Sequence, residues 1–126
     1  MILTGNEIIK EVSSGNINIK PFTNGNVNPN SYNYRIGSKI KEFIGFNGQK
    51  SLFKEMTINK NGYVLKPHKM YLANTLEIIG SNKYAMSLIG RSSIGRLGLF
   101  LEVSANLGHT CVNHRWTLEL VAAKPI

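Results

Sequence analysis

The chain has 126 residues and a formal charge of +8. One domain, 1–126, is the expected count, with a modest core. No apolar stretch is long enough to span a bilayer, and Met1-Ile2-Leu3-Thr4-Gly5 lacks the basic and apolar regions of a signal peptide, so no membrane role is expected. The single cysteine, Cys111, excludes an intrachain disulfide and suits a reducing cytoplasm. The positive balance favours anionic partners such as nucleotides, phosphorylated metabolites or nucleic acid. The lysines are scattered rather than run together, which reads as a solvated surface and makes nucleic acid an unlikely partner.

Thr4-Gly5-Asn6-Glu7 fits a capping box, with Thr4 as the N-cap. Ile8, Ile9 and Val12 then give one apolar helical face, and Gly15 is the expected stop. Ile17-Asn18-Ile19 alternates as a strand, and 21–30 reads as a loop rich in Asn, Gly and Pro. Alternation predicts further strands over 31–37 and 39–45, whereas 46–55 shows no clear pattern and reads as a loop. Residues 56–58 and 63–65, joined through Asn61-Gly62, read as a hairpin. Lys66-Pro67-His68 breaks the pattern, with His68 as a turn residue. One long strand is predicted over 70–79, followed by strands at 84–89 and 99–103. Many short strands with one helix point to an all-β barrel or sandwich.

Between the last two strands lies Gly90-Arg91-Ser92-Ser93-Ile94-Gly95-Arg96-Leu97-Gly98-Leu99. Glycines permit tight turns and close approach to a ligand. Arg91 and Arg96 can fork onto phosphate oxygens, and Ser92 and Ser93 add hydroxyl donors. The stretch reads either as a polyphosphate cradle or as a polar turn between two strands, and taken alone it does not decide. Downstream, in Arg115-Trp116-Thr117-Leu118-Glu119-Leu120-Val121, alternation puts Trp116, Leu118 and Leu120 on one face and Thr117, Glu119 and Val121 on the other. A carboxylate inside an apolar strand is costly unless solvated, paired or used, which makes Glu119 a candidate acid–base.

These stretches resemble the dCTP deaminase branch of the dUTPase-like superfamily. The resemblance rests on the opening 2–37 with Asn28-Pro29-Asn30-Ser31-Tyr32-Asn33-Tyr34-Arg35-Ile36-Gly37, on Tyr71-Leu72-Ala73-Asn74-Thr75-Leu76-Glu77, on 90–100 and on Thr117-Leu118-Glu119-Leu120. It implies a distorted β-barrel of the β-clip type with one short N-terminal helix, assembled as a homotrimer with active sites at subunit interfaces. Members deaminate dCTP to dUTP without zinc, hydrolyse dUTP to dUMP, or do both, with Mg2+ accompanying the triphosphate. By the same resemblance Arg91, Ser92, Ser93 and Arg96 would hold phosphates, and Thr117 and Leu118 would line the pocket. His109 stands where the family places an aspartate that meets the sugar, and glycines are usual at Cys111 and His114. Glu119 would pass a proton from the attacking water to the departing ammonia. The sequence stops at Ile126, and the resemblance implies that the segment closing over the nucleotide in full-length members is lacking. The alternative functions are a dUTP diphosphatase and a catalytically inactive nucleotide-binding or regulatory protein.

Three other constellations are weaker. His109, Cys111 and His114 cluster like metal ligands, but a structural site needs four, so no metal is expected there. The H-x-E with P-C-x-x-C signature of zinc deaminases is absent. Cys111 as a nucleophile would want a basic partner that loop spacing does not guarantee. Tyr32 and Tyr34 read as ordinary strand patterning rather than a base-stacking pair.

Overall fold

The N-terminal helix α1 (Gly5–Ser13) forms where the capping box places it, with the Glu7 N–H donating to Thr4 Oγ1 at 3.3 Å. A computed structural model describes residues 1–101 and 104–126; Glu102 and Val103, the end of the predicted strand 99–103, lie outside the described residues. After α1 come β1 (Ile17–Lys20), β2 (Val27–Asn28), β3 (Ser31–Tyr32), β4 (Ile36–Phe46), β5 (Ser51–Thr57), β6 (Met70–Thr75), β7 (Ile78–Ser81) and β8 (Met86–Ser87). A single helical turn, α2 (Ser92–Gly95), precedes β9 (Leu99–Leu101), β10 (Leu107–Gly108), β11 (Asn113–His114) and β12 (Thr117–Ala122). The class is all-β with a short N-terminal helix. Among the described residues the strands form four sheets, none closed into a clean ring. No described helix is long and apolar enough to cross a membrane.

The chain divides into two compact units. The first comprises Met1–Ile36, Thr75–Ser87 and Leu107–Trp116. It holds the sheet β1-β7-β11, the pair β2-β3 and the pair β8-β10, with α1 against β1, β2 and β3. Ile8 is buried from the predicted apolar face, and Gly15 adopts φ +84° just past the helix end, where glycine carries no Cβ penalty. The predicted strand 31–37 is interrupted. Asn28 Nδ2 donates to Asn33 Oδ1 at 2.7 Å, and the Arg35 N–H goes to a carboxylate rather than a ladder, so side-chain amides take over from strand pairing. The Tyr32 ring stacks on Phe22 at 5.4 Å, occupying the face that base stacking would need.

The second unit comprises Gly37–Asn74, Leu88–Asn106 and Thr117–Ile126, around the five-stranded sheet β5-β4-β6-β12-β9. Ile40, Tyr71, Ala73, Leu118, Leu120 and Ala122 are its buried apolar side chains on β4, β6 and β12. Strand β5 corrects the predicted loop 46–55. A bulge in β4 between Phe43 and Gly45 sets Phe53 opposite Phe43 and Leu52 opposite Gly45, and β5 itself does not alternate: Leu52 and Phe53 are both half-buried and Lys54 and Glu55 both exposed, as an edge strand allows. The predicted hairpin is half right. Its tight turn forms, with the Gly62 N–H on Asn59 O at 2.9 Å, but 63–65 does not pair with 56–58. Leu65 bonds Ile126 instead, its N–H donating at 2.6 Å, and Tyr63 turns to Glu42. His68 is a turn residue, at φ +62°.

Glu42 lies on the buried face of β4 beside Ile40 and accepts from Tyr63 Oη at 3.2 Å, Lys69 Nζ at 3.3 Å and Lys66 Nζ at 3.4 Å. Burial pushes its carboxyl up, but Lys69, Lys66 and Tyr63 outweigh that and hold it below the usual carboxylate range. The Tyr63 phenol is pushed up to about 12 by burial and by Tyr71 and Glu42. Glu11, buried in α1, is likewise lowered, chiefly by a hydrogen bond from Tyr84 and also by Lys83 and Asn16. A carboxylate lowered on folding contributes stability that is full above its unfolded pKa and is lost as pH falls through the folded one. Thermal melts of Glu42→Gln are therefore expected to fall below wild type at neutral pH, with the gap closing only as pH falls below the usual carboxylate range and the wild-type carboxyl protonates.

Candidate active site

The cradle is a built turn. Arg91 is extended and caps α2, its carbonyl accepting the N–H groups of Ile94 at 3.1 Å and Gly95 at 2.9 Å. Ser92 O accepts the Arg96 N–H at 3.0 Å. The N–H groups of Ser92 and Ser93 open the turn without a partner inside it, as in any helical first turn. The side chains of Arg91, Ser92, Ser93 and Arg96 are all exposed, so two cations and two hydroxyls gather on one turn facing solvent. Gly98, at φ +97°, lets the chain swing from the turn into β9, and its carbonyl accepts the Ala123 N–H at 2.7 Å.

That bond ties the cradle to the strand carrying Glu119. β9 runs antiparallel to β12, pairing Leu99 with Ala122, Phe100 with Val121 and Leu101 with Leu120. On β12 the predicted alternation holds: Leu118, Leu120 and Ala122 are buried, Thr117 is exposed, and Glu119 and Val121 are half-buried on the other face. Glu119 lies four positions before Ala123, about 13 Å along the strand at its usual rise. The β9–β12 ladder thus links the turn of two arginines and two serines to the strand that carries Glu119.

His109 belongs to the first unit. It helps line a small, mostly apolar cavity of about 60 Å³ with Ile17, Ile79, Tyr84, Met86 and Trp116. Cys111 is exposed and holds φ +63°, in the left-handed region that favours glycine. His114 Nδ1 lies 2.8 Å from Arg115 O, and its ring stands 4.3 Å from that of Trp116. Among the described residues no group of three or more His, Cys, Asp or Glu side chains is gathered as metal ligands. The cradle's donors are cationic or hydroxylic with no carboxylate from 90 to 98, so a magnesium ion would be held by bound phosphates rather than by the cradle.

The sequence reading missed Glu77. It is fully buried between β6 and β7, and Arg35 donates to it from both its backbone N–H (2.9 Å) and Nε (2.8 Å). The signal was available, since a carboxylate within the apolar run 70–79 carries the same argument as Glu119.

Comparison with known proteins identifies the family. The family model described as dCTP deaminase-like matches residues 2–126. A dCTP deaminase, dUMP-forming, of Clostridium beijerinckii is 40% identical over 129 aligned residues, covering all of this chain and 74% of that protein. A protein of the same description from Leptospira biflexa is 36% identical, with the same coverage. The crystal structure of the 2'-deoxycytidine 5'-triphosphate deaminase of Agrobacterium tumefaciens superposes with a TM-score of 0.77 at 20% identity, over 99% of this chain and 43% of that one, and so shares the fold. With a family model spanning 2–126 and relatives near 40% identical along its whole length, this chain belongs to the dCTP deaminase-like family.

Proposed function

We propose that the chain is a zinc-independent hydrolase that deaminates dCTP to dUTP and carries the product on to dUMP. One observation supports it above the others: the Arg91–Arg96 turn leads directly into β9, which pairs with β12, the strand that carries Glu119. Arg91 and Arg96 hold the triphosphate by charge-assisted forks, with Ser92 and Ser93 adding donors. Magnesium bound to the triphosphate oxygens would neutralise part of the charge that Arg91 and Arg96 meet. Glu119 removes a proton from the water as its oxygen bonds to C4. It then returns that proton to the exocyclic nitrogen, the C4–N bond breaks and ammonia leaves. Water supplies the new carbonyl oxygen and its second proton goes to ring N3, so the atoms balance without a redox step. Thr117, which shares the strand face of Glu119, is assigned to the pocket wall beside it; Leu118, assigned to the same pocket, is buried on the opposite face and backs the strand. His109 is assigned to the sugar.

The second step has its own support, since the relatives named above are described as dUMP-forming. The reading includes a homotrimer. β5 and β9 end the five-stranded sheet, and exposed Phe46 and Phe100 lie on or next to those edges, where unpaired strand edges call for cover. The exposed Cys111 thiol suits a reducing cytoplasm.

The test is a product assay. With dCTP and magnesium, ammonia and dUMP are expected in equal amounts. Pyrophosphate from dUTP alone, without ammonia from dCTP, would move the assignment to a dUTP diphosphatase. Nucleotide binding with no product from either would make the chain a binding or regulatory protein. Light scattering should give a mass about three times the 14.0 kDa of one chain.

A further inference from the structure

Residue alternation decides which face of β12 carries Glu119, but it does not decide register. A slip of two residues keeps every side chain on its own face and carries Glu119 about 7 Å along β6. The observed pairing is Thr117 with Asn74, Leu118 with Ala73 and Glu119 with Leu72. Something must exclude the slipped pairings, and the apolar pattern of Leu118, Leu120 and Ala122 does not.

The pin lies one residue before the strand. Trp116 is held by three hydrogen bonds to 75–79. Its N–H donates to Thr75 Oγ1 at 2.9 Å, its carbonyl accepts the Thr75 N–H at 2.9 Å, and its indole Nε1 donates to Ile79 O at 2.8 Å. The Thr75 hydroxyl in turn donates to Glu77 O at 2.7 Å, so its lone pairs point at Trp116. Glu77 is immobilised by the Arg35 backbone N–H and Nε on its two carboxylate oxygens, while the Leu76 N–H donates to Arg35 O at 2.7 Å. Thr75 and Glu77 are both fully buried, so nothing in solvent can take over these bonds.

We infer that Thr75 and Glu77 are positioning residues for Glu119: the Arg35–Glu77 pair orients the Thr75 hydroxyl, which pins Trp116 and so sets the register of the strand bearing the acid–base. The inference rests on the proposed role of Glu119. It explains why a carboxylate is buried in an apolar run that would otherwise extend as one strand. Replacing the pair by apolar side chains would stabilise as well, but it would not aim a hydroxyl.

The test uses Thr75→Val, which keeps the shape and removes the hydroxyl, beside Thr75→Ser, which keeps the hydroxyl. Thr75→Val is expected to lower kcat about 100-fold, the scale of an ångström-level misplacement, with KM for dCTP little changed because Arg91 and Arg96 are untouched. Amide hydrogen exchange over 116–119 should quicken while α1 amides stay protected, and Thr75→Ser should restore both readouts. If Thr75→Val fails to fold, Glu77→Gln, which leaves one Arg35 donor unmatched, should give the same split in the same direction. A lowered melting temperature with kcat and exchange over 116–119 unchanged would overturn the inference. If the wild-type chain releases no ammonia, the exchange readout alone decides: faster exchange supports the pin and unchanged exchange overturns it, while the deaminase reading fails separately.

Discussion

Glu119→Gln is expected to lower ammonia release from dCTP at least about 1,000-fold while dCTP affinity changes little. The amide has nearly the shape of the carboxylate but cannot accept the water's proton, so the step that needs a base loses it. The fold should tolerate the change. Glu119 is half-buried on the face of β12 opposite Leu118 and Leu120, and the backbone pairing with Leu72 does not involve its side chain. Binding should survive because the phosphates carry most of the ligand's charge and, in the proposed assignment, are held by Arg91, Ser92, Ser93 and Arg96, none of which is altered. Calorimetric titration with dCTP beside an ammonia assay separates the two quantities. Equal loss of affinity and rate would mean that Glu119 is a binding group. Retained ammonia release would remove it from the chemistry altogether.

The parts of this arrangement that were legible in the sequence are those decided by neighbours in sequence. The Thr4 cap and the α1 face follow from residues within a turn of one another. The 90–98 turn announces itself through glycines, serines and arginines at short spacing, and the face of Glu119 follows from alternation over five residues. What escaped depends on distant partners. The run 70–79 looks like one strand because its apolar character is continuous. It breaks because Glu77 finds Arg35, 42 positions away, and β6 and β7 then enter different sheets. Residues 63–65 look like a hairpin arm, yet Leu65 finds Ile126 and Tyr63 finds Glu42. The β5 strand was hidden because its own burial does not alternate, Leu52 and Phe53 being half-buried together and Lys54 and Glu55 exposed together, and it is its pairing with β4 that makes it a strand. In each case local pattern gave the preference of a segment, and a buried carboxylate or a remote backbone group decided where the segment went.

The largest expected effect on stability comes from a change that adds one methyl group. Gly80→Ala is expected to destabilise the chain by about 3 kcal/mol, at the upper end of the overpacking range. Gly80 sits in β7 between Asn18 of β1 and Asn113 of β11. A Cβ there would collide with the Val112 carbonyl oxygen and lie 2.7 Å from both Asn113 Cα and Asn113 Oδ1. Two of these obstacles are backbone, so no rotamer change relieves them and β11 must move. The third is already engaged, since Asn113 Oδ1 accepts from Asn18 Nδ2 at 2.8 Å across the same sheet. The requirement at Gly80 is one of space, which separates it from Gly15, Gly62 and Gly98, where positive φ is the reason for glycine. Gly25→Ala is the control. Nothing lies within 4 Å of its Cβ position, and its φ is ordinary, so alanine should be neutral or slightly stabilising by restricting the unfolded chain. Urea unfolding of the two variants against wild type gives the comparison. A Gly80→Ala variant within about 0.5 kcal/mol of wild type, the usual spread for surface changes, would mean that β11 does not cross β7 where these contacts put it.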